Sequence, residues 1–153
     1  MPYDLIIIKE EKENYLDLSR WIMPFEELDH IGESAFRVSA GTLEELFQQA
    51  ANAMYFTMQV KVFGSAKHQN LSLRGPDSES LLVMFLNELL ILAESENLAS
   101  YASTIRFDDH WLQADLALSP ITHKVENIKA VTFSQMNITR NESGFETIIV
   151  FDL

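Results

Sequence analysis

The residues of this chain whose types could do chemistry are concentrated in one short stretch, positions 25–34, with the sequence FEELDHIGES. Its acidic and titratable members are Glu26, Glu27, Asp29, His30 and Glu33. Carboxylate oxygens are the preferred ligands of hard cations such as Ca²⁺ and Mg²⁺, which take about six oxygen ligands from carboxylates, carbonyls and water. A histidine next to carboxylates is also a pairing used in general acid–base catalysis. The stretch therefore raises two chemical hypotheses, a cation site and an acid–base site.

The last residues of the chain, IIVFDL, supply a second group of oxygens at Asp152 and Leu153. A chain that ends directly on a strand holds its terminal carboxylate in place, which lowers the entropic cost of using it as a ligand. Because no EF-hand spacing is present, any cation site must be assembled from distant segments. Asp29 with Glu33, and separately the chain end, are the two candidate places. The alternative is that Asp29 is a turn or cap residue and Asp152 a solvated end.

The motifs that mark other chemistries are missing. The sequence has no cysteine, which excludes disulfides, thiolate metal sites and cysteine nucleophiles. It has no glycine-flanked serine elbow, no Walker loop and no dinucleotide fingerprint. Its four histidines lie in separate segments, without the i, i+4 spacing of a zinc-binding helix. Nucleophilic catalysis and intrinsic nucleotide binding are therefore unsupported, and a hydrolase built on Asp29 and His30 is the weakest hypothesis.

Charge and hydropathy restrict the partners and the compartment. The 23 acidic and 11 basic residues give a formal net charge of -12, which repels phosphate backbones and anionic lipids. We expect no direct nucleic-acid binding and no membrane binding, whereas cations and basic proteins suit this charge. The apolar run at 5–8 is shorter than a signal-peptide core or a membrane span. We therefore expect a cytoplasmic protein, and its oligomeric state stays open.

Two helices are predicted to position these groups. Thr42 and Glu45 form a capping box in front of a stripe of apolar residues spaced by three and four, which predicts a helix of about four turns. A second helix is predicted after Pro76, where Asp77 or Ser78 can accept the first free amides. Its apolar surface is wider than one sheet face requires, so it is either sandwiched or touches a partner.

The strands are predicted from β-branched and alternating segments. Phe36, Val38 and Ala40 point one way in the clearest strand, as a half-buried strand requires. Further strands are expected at 4–8, 60–63, 70–73, 104–107, 112–118, 130–138 and 147–151. Hairpin turns at Asp108-Asp109 and in RNESG imply largely antiparallel pairing. The sum is an α+β fold with two helices packed on a mostly antiparallel β-sheet.

Basic residues are scarce in this chain, so their positions are informative. HKVENIKAVTF places His123 and Lys129 on either side of an irregular segment that leads into a strand. Lys124 and Lys129 lie in the same stretch. One interpretation is that they are a surface lysine pair that tempers local negative charge, and the other is a basic spot that faces a partner or a phosphate. His30 is open in the same way, as a residue that orients a carboxylate or as an ordinary hydrogen-bonding residue in a loop.

Four blocks of the sequence together resemble the archease family. They are LDHIGESAFRVSAGTLEELFQQAANAMYFTM, SLLVMFLNELLIL, HKVENIKAVTF and the terminal VFDL. The family has D-H-T-A-D before a strand, a T-L-E-E-x-F helix start, a leucine-rich helix with N-E-L-L, then V-K-A-V-T-Y-H, and it ends in I-F-D-I or similar. The resemblance covers 25–153 and implies an archease-like domain there, with residues 1–24 as an N-terminal extension of uncertain structure.

The resemblance implies a function and a ligand set. Archeases are accessory proteins, not enzymes, that assist the RtcB-type RNA ligase in tRNA splicing and RNA repair by promoting guanylylation of the ligase. They carry a divalent cation, often assigned as calcium, held by acidic residues of the D-H-T-A-D block and by the end of the chain. Carried over to this sequence, the metal ligands are Asp29, Glu33, Asp152 and Leu153. His30, His123 and Lys129 are then the residues expected to face a partner.

This sequence departs from the family pattern at several of these positions. The second aspartate of D-H-T-A-D is Glu33, one methylene longer, which alters the distance to a cation. The tyrosine and histidine of V-K-A-V-T-Y-H are Phe133 and Ser134. The alternative hypothesis is therefore a diverged binding module with the archease fold and no ligase-activating function.

Overall fold

The computed structural model describes residues 25–28, 33–64 and 67–153. The described chain contains nine strands and two α-helices, and every strand pairing is antiparallel. In chain order the elements are β1 (Phe25–Leu28), β2 (Glu33–Ala40), α1 (Leu43–Met58), β3 (Lys61–Val62), β4 (Lys67–Arg74), α2 (Ser78–Ile91), a π-helical turn (Leu92–Glu96), β5 (Leu98–Asp108), β6 (Trp111–His123), β7 (Ala130–Thr132), β8 (Thr139–Asn141) and β9 (Gly144–Asp152). The predicted α+β class is confirmed.

The strands form two sheets rather than the single sheet expected from the sequence. In the first sheet the order is β1-β2-β9-β7, and β8 also pairs with β9. Because β2 occupies one edge of β9 along its whole length, β7 and β8 share the other edge. In the second sheet β6 is central, with β4, β5 and the short β3 paired to it. Alternation predicts that a strand has an inner face, but not which sheet it joins.

Both helices contact strands of both sheets. α1 packs on β1, β2 and β9 of the first sheet and on β5 of the second, while α2 packs on β7 and β4. α1 is buried on nearly every side from Leu46 to Met58. The wide apolar surface of α2 is therefore explained by its position between the sheets, and Met84 packs against the core while Ile91 remains 55% exposed.

Aromatic side chains join the helices to the two sheets. Phe56 of α1 meets Phe25 and Phe36 of the first sheet edge-on, with ring centroids 5.5 and 5.9 Å away. On another side of α1, Phe47 lies 4.9 Å from Phe107 of β5 and 5.8 Å from Phe85 of α2. Edge-to-face ring pairs add stabilisation beyond the apolar area they bury. These contacts hold α1 against β1 and β2 of the first sheet, β5 of the second sheet and α2.

Each helix begins at the capping residue that the sequence indicates. The hydroxyl of Thr42 accepts a hydrogen bond from the Glu45 amide at 3.1 Å, and the carboxylate of Asp77 accepts one from the Ser80 amide at 2.7 Å. These bonds satisfy amides that have no partner within the helix. In the described part of the chain, no helix has the length and hydropathy needed to cross a membrane.

The prediction of one strand over 130–138 is wrong. β7 ends at Thr132, and the backbone then turns through Gln135, which has a left-handed conformation with a φ of 60°. A hydrogen bond from the Met136 amide to the Phe133 carbonyl, 3.1 Å long, closes this turn. The predicted strand at 4–8 lies outside the described residues.

Candidate metal site at the end of the first sheet

Two of the predicted ligand residues lie directly opposite each other. Glu33, the first residue of β2, is the cross-strand partner of Asp152, the last residue of β9. Opposed residues of an antiparallel pair project from the same face, with their Cβ atoms about 4.5–5.5 Å apart. The two carboxylates are therefore neighbours, although their residues come from opposite ends of the described chain.

The alternation of the strands determines which face carries this pair. Ser34 lies on the inner face, because its hydroxyl is 3.5 Å from that of Thr57 in α1. Phe151 also faces inward, with its ring centroid 6.0 Å from that of Phe36. Since successive side chains alternate between faces, Glu33 and Asp152 project from the face that points away from α1. Both residues are partly exposed, so a cation can reach them from solvent.

The backbone around Asp152 is held on both sides. Ala130 of β7 is its partner on the edge opposite Glu33, which places only a methyl group beside the carboxylate there. The Lys129 amide donates a hydrogen bond to the Asp152 carbonyl at 2.8 Å. Asp152 is thus part of the sheet and not of a mobile tail. Leu153 follows it and packs, partly buried, against the hydrophobic core.

The donor set that the structure describes suits a hard cation but is incomplete. Glu33 and Asp152 offer carboxylate oxygens, the ligand type that Ca²⁺ prefers. No group of three or more His, Asp or Glu side chains close enough to hold a metal occurs within 25–28, 33–64 and 67–153. Asp29 and His30 belong to the connection 29–32 between β1 and β2, which lies outside the described residues. A site of higher coordination therefore requires oxygens from that connection, the chain end or water.

The two basic candidates lie in different places. Lys129 comes directly before β7, and its backbone contacts Asp152. His123 is the last residue of β6 in the second sheet, exposed, and paired with Lys61 of β3. The structure thus brings the Lys129 backbone to that of Asp152 and assigns His123 to the other sheet. The neighbouring Lys124 is bound to Glu94, with 3.0 Å between its ammonium nitrogen and the carboxylate oxygen.

The structure also contains a polar pocket on the second sheet that the sequence does not predict. A cavity of about 430 Å³ lies on the face of the second sheet, lined by Asn70, Thr104, Arg106, Gln113, Ala114 and Asp115. The strand alternation that produces it resembles that of any solvated sheet face, so the sequence holds no signal that would have found it. Among the residues that the structure describes, the largest pKa shift belongs to neither region. Burial raises the pKa of the Tyr55 hydroxyl, which lies in the core.

Comparison with known proteins identifies the family. The model of the Archease protein family matches residues 25–153. The chain belongs to the archease family. The proteins named archease from Methanosarcina barkeri and Methanosarcina mazei are 31% and 32% identical to it over 140 residues, which cover 84% of this chain and 95% of each archease.

Solved archease structures have the same fold. The crystal structure of an archease from Thermotoga maritima, described as a possible chaperone, has a TM-score of 0.63 and 20% identity, covering 84% of this chain and 96% of that one. A protein from Methanobacterium thermoautotrophicum has a TM-score of 0.68 and 26% identity in its solution structure, covering 86% of this chain and all of that one. The expected archease-like arrangement of two helices with antiparallel sheets is therefore confirmed.

Proposed function

We propose that this archease is a non-catalytic accessory protein that activates an RtcB-type RNA ligase in tRNA splicing and RNA repair by promoting guanylylation of the ligase. The activation depends on a divalent cation, calcium being the first candidate, held by Asp29, Glu33, Asp152 and Leu153. The protein acts in the cytoplasm through contact with the ligase and does not bind nucleic acid directly.

The observation that carries the proposal is the pairing of Glu33 with Asp152 across β2 and β9. Two carboxylates side by side on one sheet face carry like charges, and a cation bound between them would relieve their repulsion. The pairing of β2 with β9 brings the two residues together through the backbone, before a cation arrives. This arrangement supports a pair of cation ligands.

The residues at the site have separate roles in the proposal. Glu33 and Asp152 bind the cation, and the Lys129 amide holds the Asp152 backbone in position through its 2.8 Å hydrogen bond. A cation held there would supply positive charge that neutralises a triphosphate or positions a loop of the ligase. The net charge of -12 favours docking onto a basic protein surface and disfavours RNA.

The proposal is tested with purified ligase, GTP and wild-type or variant archease, with formation of the ligase–guanylate adduct as the readout. Asp152→Asn keeps the shape of the side chain and removes the charge, so we expect stimulation to fall at least about tenfold. Asp115→Asn is the matched control. Asp115 is also an aspartate on a strand paired on both flanks, but it lies in the second sheet, opposite Asn70 and Thr104.

Cation binding can be measured on the archease alone, without the ligase, through its effect on the Tm. At a Ca²⁺ concentration 100 times the dissociation constant, a ligand that binds only the folded state stabilises it by about 2.7 kcal/mol. For a chain of this size that raises the Tm by roughly 5–11 °C. We expect the rise in wild type and in Asp115→Asn, and not in Asp152→Asn. An equal rise in all three refutes the cation site, and a wild type that never stimulates the ligase favours the diverged binding module instead.

A further inference from the structure

Phe133 is a large apolar side chain that the fold leaves in water directly after β7. The Phe133 side chain is 58% exposed, whereas that of Val131, two residues earlier, is only 6% exposed. We infer that Phe133 is an aromatic anchor by which this archease docks onto its partner protein, at a basic surface that carries an apolar pocket. The inference rests on the proposed function, which makes the partner the ligase, and it adds a contact residue outside the carboxylate site.

The backbone around Phe133 is ordered by its own hydrogen bonds. The Ser134 amide donates to the Thr132 hydroxyl at 3.2 Å, and the Met136 amide donates to the Phe133 carbonyl at 3.1 Å. Between them Gln135 has the left-handed conformation that completes the turn. The ring is therefore presented by a defined turn and not by an irregular loop.

The far end of this turn is attached to the rest of the protein. The Ile138 amide donates to a Glu79 carboxylate oxygen of α2 at 3.0 Å, and the Asn137 amide donates to the Thr147 hydroxyl of β9 at 3.2 Å. Met136 and Ile138 pack against the core. A residue whose backbone is already ordered loses less conformational entropy on binding, which is a property of interface anchors.

The position of Phe133 relative to the carboxylate pair suits one continuous interface. Ala130 lies opposite Asp152, and Phe133 is three residues further along the chain. Three residues span at most about 11 Å, whereas a standard interface covers about 800 Å² on each partner. Exposed aromatic residues are enriched among binding hot spots, where polar and charged residues surround them. Phe133 lies within about 11 Å, along the backbone, of the residue opposite Asp152, and the protein has a net charge of -12. A partner that is apolar at the centre and basic around it fits both features.

The test measures the dissociation constant of the full chain and the ligase by isothermal titration, with three variants. Phe133→Ser removes the ring, and Phe133→Tyr retains it. Phe63→Ser removes an aromatic side chain that is even more exposed, at 80%, and that follows β3 of the second sheet. We expect Phe133→Ser to weaken binding at least about tenfold, while Phe133→Tyr and Phe63→Ser stay within about threefold of wild type. Unchanged Tm values show that each variant is folded.

The outcomes distinguish this inference from the proposed function. If Phe133→Ser binds as tightly as wild type while wild type still stimulates guanylylation, the anchor is refuted and the function stands. If Phe63→Ser weakens binding as much as Phe133→Ser does, the loss is not specific to this position and the anchor is refuted as well. If wild type neither binds nor stimulates the ligase, both proposals are wrong.

Discussion

Replacing Tyr55 by phenylalanine tests how α1 is attached to the second sheet. The Tyr55 hydroxyl accepts a hydrogen bond from the Ser100 amide of β5 at 2.9 Å, and both residues are 1% exposed. This amide lies where the register of β5 against β6 shifts, between Ser100 and Ala102. The Tyr55→Phe variant keeps the ring but leaves the amide without its acceptor in a place that water does not reach.

The expected loss of stability follows from leaving the buried Ser100 amide without a hydrogen-bond acceptor. A buried amide left without a partner costs about 1–3 kcal/mol, so we expect a drop near 2 kcal/mol in the free energy of unfolding at pH 7. In a chain of this length that corresponds to a Tm lower by roughly 4–8 °C. Urea unfolding followed by circular dichroism measures it. Tyr101→Phe is the control. Tyr101 is only partly buried, so water can hydrogen-bond to a polar group that loses contact with its hydroxyl.

The pH dependence gives the same variant a second, independent readout. Burial raises the pKa of Tyr55 in the folded state, so its hydroxyl stays neutral at pH values where the unfolded chain ionises, above about 10. The stability contributed by this residue is complete below pH 10 and is lost as the pH rises, by about 1.4 kcal/mol per pH unit. The gap between wild type and Tyr55→Phe should therefore narrow from pH 10 to 11. A loss below about 0.5 kcal/mol at pH 7, or a gap that stays constant to pH 11, refutes this account.

Two further substitutions test local geometry and charge. In Gly144→Ala the new Cβ would overlap the Ala40 carbonyl oxygen, and the backbone φ of 136° is one that residues other than glycine rarely adopt. We therefore expect the free energy of unfolding, measured in urea, to fall by more than about 1 kcal/mol. An unchanged urea midpoint would contradict this. Hydrogen bonds from Ser80 lower the pKa of the Asp77 carboxyl, so the charged form stabilises the folded state and this stabilisation disappears on protonation. We therefore expect Asp77→Ala to lower the Tm at pH 7, and the difference from wild type to shrink as the pH falls below about 3.9. Equal losses in Tm at pH 7 and pH 3 would rule out this role of the charge.

Local features of the fold were predictable from the sequence. Thr42 and Asp77 cap the two helices, because an N-cap bond involves residues only three apart and needs no information from the rest of the chain. The strands from β4 to β6 and β9 were each predicted from alternation, although the structure extends them at their ends. The failure at 130–138 has a local cause that the pattern did not contain, since glutamine at 135 gives no sign of a left-handed turn.

The candidate metal site shows which of its features come from the amino-acid sequence and which from the tertiary structure. The sequence by itself determined the residue types, because the acidic stretch before β2 and the aspartate of the terminal VFDL are visible without a structure and resemble the archease pattern, with Glu33 in place of its second aspartate. Only the tertiary structure decided that Glu33 lies opposite Asp152, on the face away from α1, and that the Lys129 amide is bonded to the Asp152 carbonyl. The physical reason is that β2 and β9 pair through long-range hydrogen bonds. A slip of one residue would turn a carboxylate to the other face, and it is the packing of Phe36, Phe56 and Phe151 that holds the register.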